Sequence, residues 1–114
     1  MSNVSSNRLD MEIECDPVYA KVDELLEILT KSKSLHILLI LHEASDPLSF
    51  TKLKSGVDSS GTTVSRRLNE LEEFGLVKRT VSESKSIFYK LTEKSESLAP
   101  IIQSMYDWCL TNSL

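Results

Sequence analysis

The stretch that begins at Ser59 combines hydroxyl, amide and guanidinium side chains and contains no carboxylate before Glu70. These groups can donate hydrogen bonds to phosphate oxygens and to the edges of bases, whereas a carboxylate would repel phosphate. The residue types are therefore typical of a surface that binds DNA. The alternative is a solvated face that is rich in Thr and Arg by chance.

Apolar residues in the same stretch indicate that its polar side chains share one side of a helix. The apolar residues recur at gaps of four, three and three, at Val64, Leu68, Leu71 and Phe74. A helix with this spacing presents the intervening polar residues on its other side. Those residues are Thr62, Thr63, Arg66 and Asn69. Ser59 or Ser60 can cap the first turn, and Gly75 can end the helix in the left-handed conformation.

A second, shorter helix is predicted immediately before this one. Ser49 can cap a helix from Phe50 to about Ser55, and Gly56 to Asp58 can form the turn that follows. A short helix, a tight turn and a helix with a cationic outer face together predict a helix-turn-helix. Lys52 and Lys54 on the first of these helices are candidates for phosphate contacts.

Two predicted strands follow, at residues 76–81 and 87–91, and they resemble the wing of a winged helix domain. The link between them, residues 82–86, is polar and is expected to be flexible. The hairpin is basic because it carries Lys78, Arg79, Lys85 and Lys90. Glu83 lies in the link and reduces this positive charge.

Two amphipathic or apolar helices are predicted upstream. The first runs from Pro17 to about Lys31 with Asp16 as its cap, and the second runs from Leu35 to Ala44 with Ser34 as its cap. The second helix is apolar nearly all round, so we expect it to form the buried centre of the domain. His36 and His42 are six residues apart, a spacing that does not place two metal ligands on one helical face.

A last helix is predicted after Thr92, which can cap it. It carries an apolar stripe at Leu98, Ile101, Ile102, Met105, Trp108 and Cys109. The stripe could pack on the core of the same subunit, or it could form a dimer surface. Pro100 removes one backbone donor and is expected to restart or kink the helix.

Composition and charge agree with one globular domain. The chain has 114 residues, of which 40% are hydrophobic and 26% charged, and its net charge is −4. Residues 46–94 hold nine Lys and Arg against seven Asp and Glu, so the middle of the chain is basic. No apolar run is long enough to span a membrane, and the start lacks a signal peptide, so we expect a cytoplasmic protein whose two cysteines are reduced.

The sequence resembles the HxlR family of winged helix transcription regulators, within the MarR-like group. The resemblance runs from Cys15 to Trp108. It includes the opening Cys15-Asp16-Pro17, the helix that ends in Gly75-Leu76-Val77, the Tyr89-x-Leu91-Thr92 ending of the second strand, and the terminal Trp108. It implies a homodimer, paired through its first and last helices, that binds pseudo-palindromic DNA. It also implies that Cys15 is a candidate redox sensor, although Glu14 and Asp16 beside it disfavour a thiolate.

The expected fold is mainly α with a small β-hairpin wing, a winged helix-turn-helix. Residues 1–14 are expected to form a partly disordered arm, and residues 15–114 are expected to form the domain with its C-terminal dimerisation helix. The candidate DNA-binding residues are Lys52, Lys54, Ser60, Thr62, Thr63, Arg66, Arg67, Asn69, Lys78, Arg79 and Lys85. The candidate dimer interface contains Val18, Val22, Leu26, Ile102, Met105, Trp108 and Cys109. No cofactor and no metal site is predicted.

Two other classes of function remain open. A winged helix that binds another protein and no DNA would agree with the overall acidity and with the acids Glu70, Glu72 and Glu73. An enzyme is disfavoured because the sequence shows no nucleophile with a placed base, no Gly-rich phosphate loop and no clustered metal ligands.

Overall fold

A computed structural model describes residues 16–114, so the expected N-terminal arm and Cys15 lie outside the described residues. The elements follow in the order α1 (Pro17–Leu29), α2 (Ser34–Glu43), β1 (Leu48–Ser49), α3 (Phe50–Val57), α4 (Gly61–Glu73), β2 (Val77–Val81), β3 (Ile87–Leu91) and α5 (Glu93–Thr111). This order confirms the predicted winged helix-turn-helix. None of these described helices has both the length and the apolar character that a membrane span requires.

The helix starts are fixed by the side chains that the sequence suggested, with one exception. Asp16, Ser49 and Thr92 accept backbone N–H groups of the following turn at 2.9, 3.3 and 3.2 Å. The prediction that Ser34 caps α2 is wrong. The cap position is Lys33, in the left-handed conformation at φ 74°, and Ser34 is the first helical residue and is buried.

Helix α2 lies at the centre of the core, as its apolar composition predicted. Ile37, Leu38 and Leu41 are buried, and they belong to one cluster that also contains residues of α1, α3, α4, α5 and the sheet. Leu35, Leu39 and Ile40 are only partly buried, so the rest of the protein covers this side of α2 incompletely. A helix with apolar residues all round can be packed from several sides at once.

The sheet has three antiparallel strands in the order β1-β3-β2. Strand β1 was not predicted, because two residues cannot show a periodic pattern. It pairs Leu48 with Tyr89 and Ser49 with Phe88, and so joins the start of the helix-turn-helix to the wing. The first wing strand begins at Val77, one residue later than expected.

Helix α5 continues through Pro100 as one helix of 19 residues. Of the two expected effects of Pro100, a restart or a kink, the restart is therefore wrong. Only its first half is packed, because Ser95, Ala99 and Ile102 are buried and every residue from Ser104 onwards is exposed. The helix is about 28 Å long, so its C-terminal half extends beyond the core of the domain.

Candidate nucleic-acid interface

Helix α4 is anchored by its apolar side and by a cap at its start. Val64, Leu68 and Leu71 are buried in the core. The Ser60 hydroxyl accepts a hydrogen bond from the N–H of Thr63 at 3.1 Å, which confirms Ser60 as the cap. The opposite side of the helix is therefore held towards solvent.

The end of α4 is a Schellman motif. The N–H of Leu76 donates to the carbonyl of Leu71 at 2.9 Å, and the N–H of Gly75 donates to the carbonyl of Glu72 at 3.0 Å. Gly75 has φ 84°, as predicted for a helix-ending glycine. The Lys94 ammonium, from α5, donates to the carbonyl of Phe74 at 3.1 Å and so binds the negative end of the helix.

The exposed side of α4 presents four polar residues at helical spacing. Thr62, Ser65, Arg66 and Asn69 line one open recess together with Phe50 and Gly61. Ser65 was missing from the predicted site, although its position three residues after Thr62 places it on the same face. Phe50 comes from α3, and no pattern in the sequence indicated that its ring would border this surface.

Thr63 does not share the exposure of this face. It is half-buried, and its hydroxyl oxygen accepts a hydrogen bond from the Ser60 hydroxyl at 3.1 Å. Both side chains are thus engaged at the start of α4. The geometry gives Thr63 a role in capping rather than in contacting bases.

Arg67 is also turned away from the exposed face. Its Nε donates to the carbonyl of Ser32 at 3.0 Å, and its Nη1 donates to Glu70 at 2.6 Å. Its side chain is only 13% exposed. The structure therefore corrects the expectation that Arg67 contacts phosphate, because its guanidinium is engaged with the link between α1 and α2.

Glu70 has a structural environment that the sequence did not reveal. It pairs with Arg67 at 2.6 Å and with Lys31 at 3.4 Å. Partial burial by itself would raise the pKa of the Glu70 carboxyl. The hydrogen bond and charge of Arg67, followed by those of Lys31, outweigh that effect and hold the pKa below its usual value of 4.5. Glu70 therefore remains ionised close to the exposed face of α4 without facing it.

The other cations of the candidate interface are exposed and have no acidic partner. In the described part of the chain, ion pairs involve only Lys31, Arg67 and His42 as the basic residue. The exposed cations without such a pair include Lys52, Lys54, Arg66, Lys78, Arg79 and Lys85. Positive side chains that are not neutralised within the domain are available to phosphates.

Hydrogen bonds hold the wing tip in a defined turn. The N–H of Ser82 donates to the carbonyl of Ser86 at 2.8 Å, and the N–H of Lys85 donates to the carbonyl of Ser82 at 2.8 Å. The Ser84 hydroxyl contacts both flanking serine hydroxyls. Lys85 has φ 67°, a left-handed conformation that completes a three-residue hairpin loop.

The basic residues of the wing lie on two different faces. Lys78 is directly opposite Lys90, whereas Arg79 is opposite Tyr89. Side chains alternate between the faces of a strand, so Lys78 and Lys90 share one face and Arg79 lies on the other. One face of the wing cannot present all three cations to the same phosphates.

Exposed apolar side chains are concentrated on α1 and α5. They include Val18, Tyr19, Val22 and Leu26 on α1, and Ile101, Met105, Tyr106, Trp108 and Leu110 on α5. Ile102 was expected in a dimer interface, but it is 5% exposed and packs into the core of the domain. Cys109 is exposed, and with Met105 and Tyr106 it borders an apolar groove of about 640 Å³ between α2 and α5.

Comparisons with known proteins match this architecture. The family model for HxlR-like helix-turn-helix proteins matches residues 28–113. The uncharacterized HTH-type transcriptional regulator YvaP of Bacillus subtilis is 32% identical in an alignment of 98 residues that covers 83% of this chain and 86% of YvaP.

Solved structures show the same similarity. The reduced form of the transcriptional regulator YodB from B. subtilis has a TM-score of 0.69 at 27% identity, over 78% of this chain and 88% of YodB. The complex of Staphylococcus aureus MepR with DNA has a TM-score of 0.63 at 24% identity, over 83% of this chain and 80% of MepR. At that identity, the similarity to MepR concerns the fold alone.

Proposed function

The chain belongs to the family of HxlR-like helix-turn-helix transcription regulators, and on this basis we propose that it acts as a homodimer that binds a pseudo-palindromic DNA operator sequence-specifically. Helix α4 is the recognition helix of this proposal, and the wing formed by β2 and β3 lies beside it.

The main support is the first two exposed turns of α4, which carry no acid, whereas the exposed Glu72 and Glu73 on the same side of the helix lie only in its last turn. Thr62, Ser65, Arg66 and Asn69 are spaced so that one groove of DNA can reach them all. Arg66 is the strongest candidate for a base contact, because a guanidinium can bind guanine with two hydrogen bonds. Lys52, Lys54 and Lys85 are assigned to phosphates. On the wing, either Lys78 or Arg79 is also assigned to phosphates, because the two lie on opposite faces. Ser60 and Thr63 support this face by capping the helix.

The proposed dimer is supported by the exposed apolar faces of α1 and α5. A monomer rarely leaves several large apolar side chains such as Tyr19 and Trp108 more than half exposed, and here the exposures are 67% and 54%. Pairing these helices between two subunits would bury them. Two recognition helices separated by about 34 Å would then enter successive major grooves on one side of the DNA.

A selection from random DNA tests the proposal. The purified protein would be used to enrich binding sites, and the enriched and scrambled sites would be compared by gel shift at two salt concentrations. We expect two inverted half-sites and preferential binding of the enriched site that survives the higher salt. Equal, salt-sensitive binding to both DNAs, or no binding, would contradict sequence-specific recognition. The absence of binding would favour the protein-interaction module instead.

Cys15 is included in the proposal as a redox-responsive thiol, on the basis of the family resemblance. A helix starts just after it and favours the thiolate, whereas Glu14 and Asp16 disfavour it. Two thiols and one peroxide would give a disulfide between subunits and two waters. Peroxide treatment followed by a non-reducing gel should give a dimer band in the wild type and none in Cys15→Ser. The same band in both proteins would exclude Cys15.

A further inference from the structure

We propose that Arg67 and Glu70 are positioning residues that fix the direction of α4 relative to α1. Together with Lys31 and the carbonyl of Ser32 they form a group of contacts that we call the α1–α4 clasp. The inference rests on the proposed function, because the direction of α4 matters most if α1 belongs to a dimer interface. The clasp would then determine which half-site spacing the dimer accepts.

The charged side chains of the clasp form hydrogen bonds with specific partners. Arg67 donates from Nε to the Ser32 carbonyl at 3.0 Å and from Nη1 to Glu70 Oε1 at 2.6 Å. The second carboxylate oxygen of Glu70 accepts from Lys31 Nζ at 3.4 Å. The guanidinium and the carboxylate each therefore bridge two groups, and such charge-assisted bonds constrain direction as well as distance.

The clasp holds the segment that immediately follows α1. The backbone there is a tight turn, in which the N–H of Thr30 donates to the carbonyl of Leu26 at 2.9 Å and the N–H of Ser34 donates to the carbonyl of Lys31 at 3.1 Å. This turn is continuous with α1, whose exposed apolar face is assigned to the dimer. Any rotation of α4 away from α1 must therefore break the bonds of Arg67.

Arg66 and Arg67 show how directly the clasp is linked to the reading face. The two residues are adjacent, and successive side chains of a helix point about 100° apart. Arg66 faces solvent, and Arg67 faces the turn after α1. Helix α4 spans about 20 Å, so a tilt of about 10° at one end moves the other by about 3.4 Å, which is the rise of one base pair.

The clasp is not needed to hold α4 on the core. Val64, Leu68 and Leu71 are buried, and Thr92 and Lys94 of the region that begins α5 bind the end of the helix through the carbonyls of Gly75 and Phe74. Partly exposed ion pairs contribute little to stability. Loss of the clasp should therefore change the direction of α4 more than the stability of the fold.

The experiment compares half-site spacings. Wild type, Arg67→Met and Glu70→Gln would be titrated against the selected operator and against versions with one base pair added to or removed from the centre. Glu73→Gln is the matched control, because Glu73 is an exposed acid of the same helix with no ion pair among the described residues. Binding to a single half-site and the melting temperature would be measured for every variant.

We expect wild type and Glu73→Gln to prefer the selected spacing. Arg67→Met and Glu70→Gln should lose at least about fivefold of that preference, while single half-site binding stays unchanged. Variants that keep the spacing preference of wild type, or that only weaken binding at all spacings in step with a lower melting temperature, would overturn the inference. If wild type binds DNA equally well at every spacing, the inference is also overturned. DNA binding itself is then retained, so this result differs from a failure of the proposed function. Failure of all variants to bind any DNA would overturn the proposed function.

Discussion

Two adjacent arginines with the same chemistry have different roles because of helical phase. Arg66 is exposed among Thr62, Ser65 and Asn69, whereas Arg67 donates to the Ser32 carbonyl and to Glu70. A positive charge on this helix is therefore not by itself a sign of DNA contact. The difference can be measured by substituting each arginine separately.

Arg66→Ala should weaken binding to the selected operator by about 1–3 kcal/mol and relax the sequence preference at one position of each half-site. The reason is that the guanidinium is placed to bind a base edge. The measurement is a titration against operators in which each base pair is changed in turn.

Lys85→Asn is the control for Arg66→Ala. Asn tolerates the left-handed backbone that Lys85 adopts at φ 67°, so the wing tip keeps its shape while one charge is lost. It should weaken all sequences alike and lower the salt slope by about one per subunit. An Arg66→Ala protein with unchanged base preference would show that the reading face is assigned wrongly.

Glu70 should make stability depend on pH in a defined direction. Its pKa is lower in the folded state, so its contribution to stability is present above its unfolded pKa, near 4.5, and is lost as the pH falls through the folded pKa. Glu70→Gln should therefore be less stable than wild type at about pH 7, and the difference in the free energy of unfolding should close as the pH falls through the folded pKa of Glu70. Urea unfolding over a series of pH values from neutral to acid measures this difference. Glu73→Gln should show no such closing gap, and a constant gap for Glu70→Gln would contradict the ion-pair assignment.

Ser95 is a buried hydroxyl that finds no hydrogen-bond partner among the described residues. It lies in the first turn of α5 against α2, where Ala99 one turn later is also buried. Ser95→Ala should raise the free energy of unfolding by up to about 1 kcal/mol, because it removes an unsatisfied polar group. Urea unfolding provides the measurement.

Ser97→Ala is the matched control for Ser95→Ala. Ser97 is exposed, and its hydroxyl donates to the Lys94 carbonyl at 2.7 Å. The control gives the same gain in helix propensity without removing a buried group. If Ser95→Ala were no more stabilising than Ser97→Ala, the buried hydroxyl would have to be satisfied in solution.

At the scale of elements, the end of α4 is the clearest case in which one residue fixes a junction. Gly75 adopts φ 84° between the recognition helix and the first wing strand. Gly75→Ala should destabilise the protein by about 1–2 kcal/mol, because a Cβ disfavours this conformation. Urea unfolding provides the measurement.

Gly61→Ala in the same helix is the control for Gly75→Ala. Gly61 is at the first position of α4, and the nearest atoms to an added Cβ are at 3.9 Å. Alanine there should be neutral or stabilising, because it raises helix propensity and its Cβ makes only ordinary van der Waals contacts. Equal effects at both glycines would contradict the conformational argument.

The elements that the sequence predicted well are those with a period or a capping group. Helix α4, its Ser60 cap and the Gly75 end were predicted because each leaves a local pattern. Strand β1 was missed because its pairing with β3 is not local. Ser34 was misassigned as a cap because Lys33, in a conformation that is rare for Lys, precedes it.

The candidate site was predictable as a face but not residue by residue. The period placed Arg66 and Asn69 on the exposed side of α4, and it placed Arg67 near the edge of that side. The partners of Arg67 are the Ser32 carbonyl and Glu70, and the first comes from 35 residues earlier in the chain. No local pattern reports such a contact. The wing cations likewise were divided between two faces only when the register was known.

At the scale of the whole molecule, the apolar surface is distributed unevenly. Of the 11 large hydrophobic residues that are exposed in the described range, nine lie on α1 and α5, and the other two are Val81 and Leu114. The periodic pattern of α5 could not reveal this, because it is the same for a helix covered by its own subunit and for one covered by a second copy. The proposed dimer accounts for the excess.

Trp108→Glu should convert the dimer to a folded monomer, because it places a charge in the centre of an apolar contact. The mass in solution would be measured by light scattering, and helical content by circular dichroism. Val81→Glu is the matched control, since Val81 is similarly exposed, at 57% against 54% for Trp108, but lies on the wing. The control should remain dimeric.

The Trp108→Glu monomer should bind a single half-site as the wild type does, but it should lose the advantage of the paired operator, and its salt slope should fall to about half. A Trp108→Glu protein that is still dimeric would contradict the assignment of α5 to the interface. One that is monomeric with undiminished affinity for the paired operator would show that DNA binding does not need the dimer.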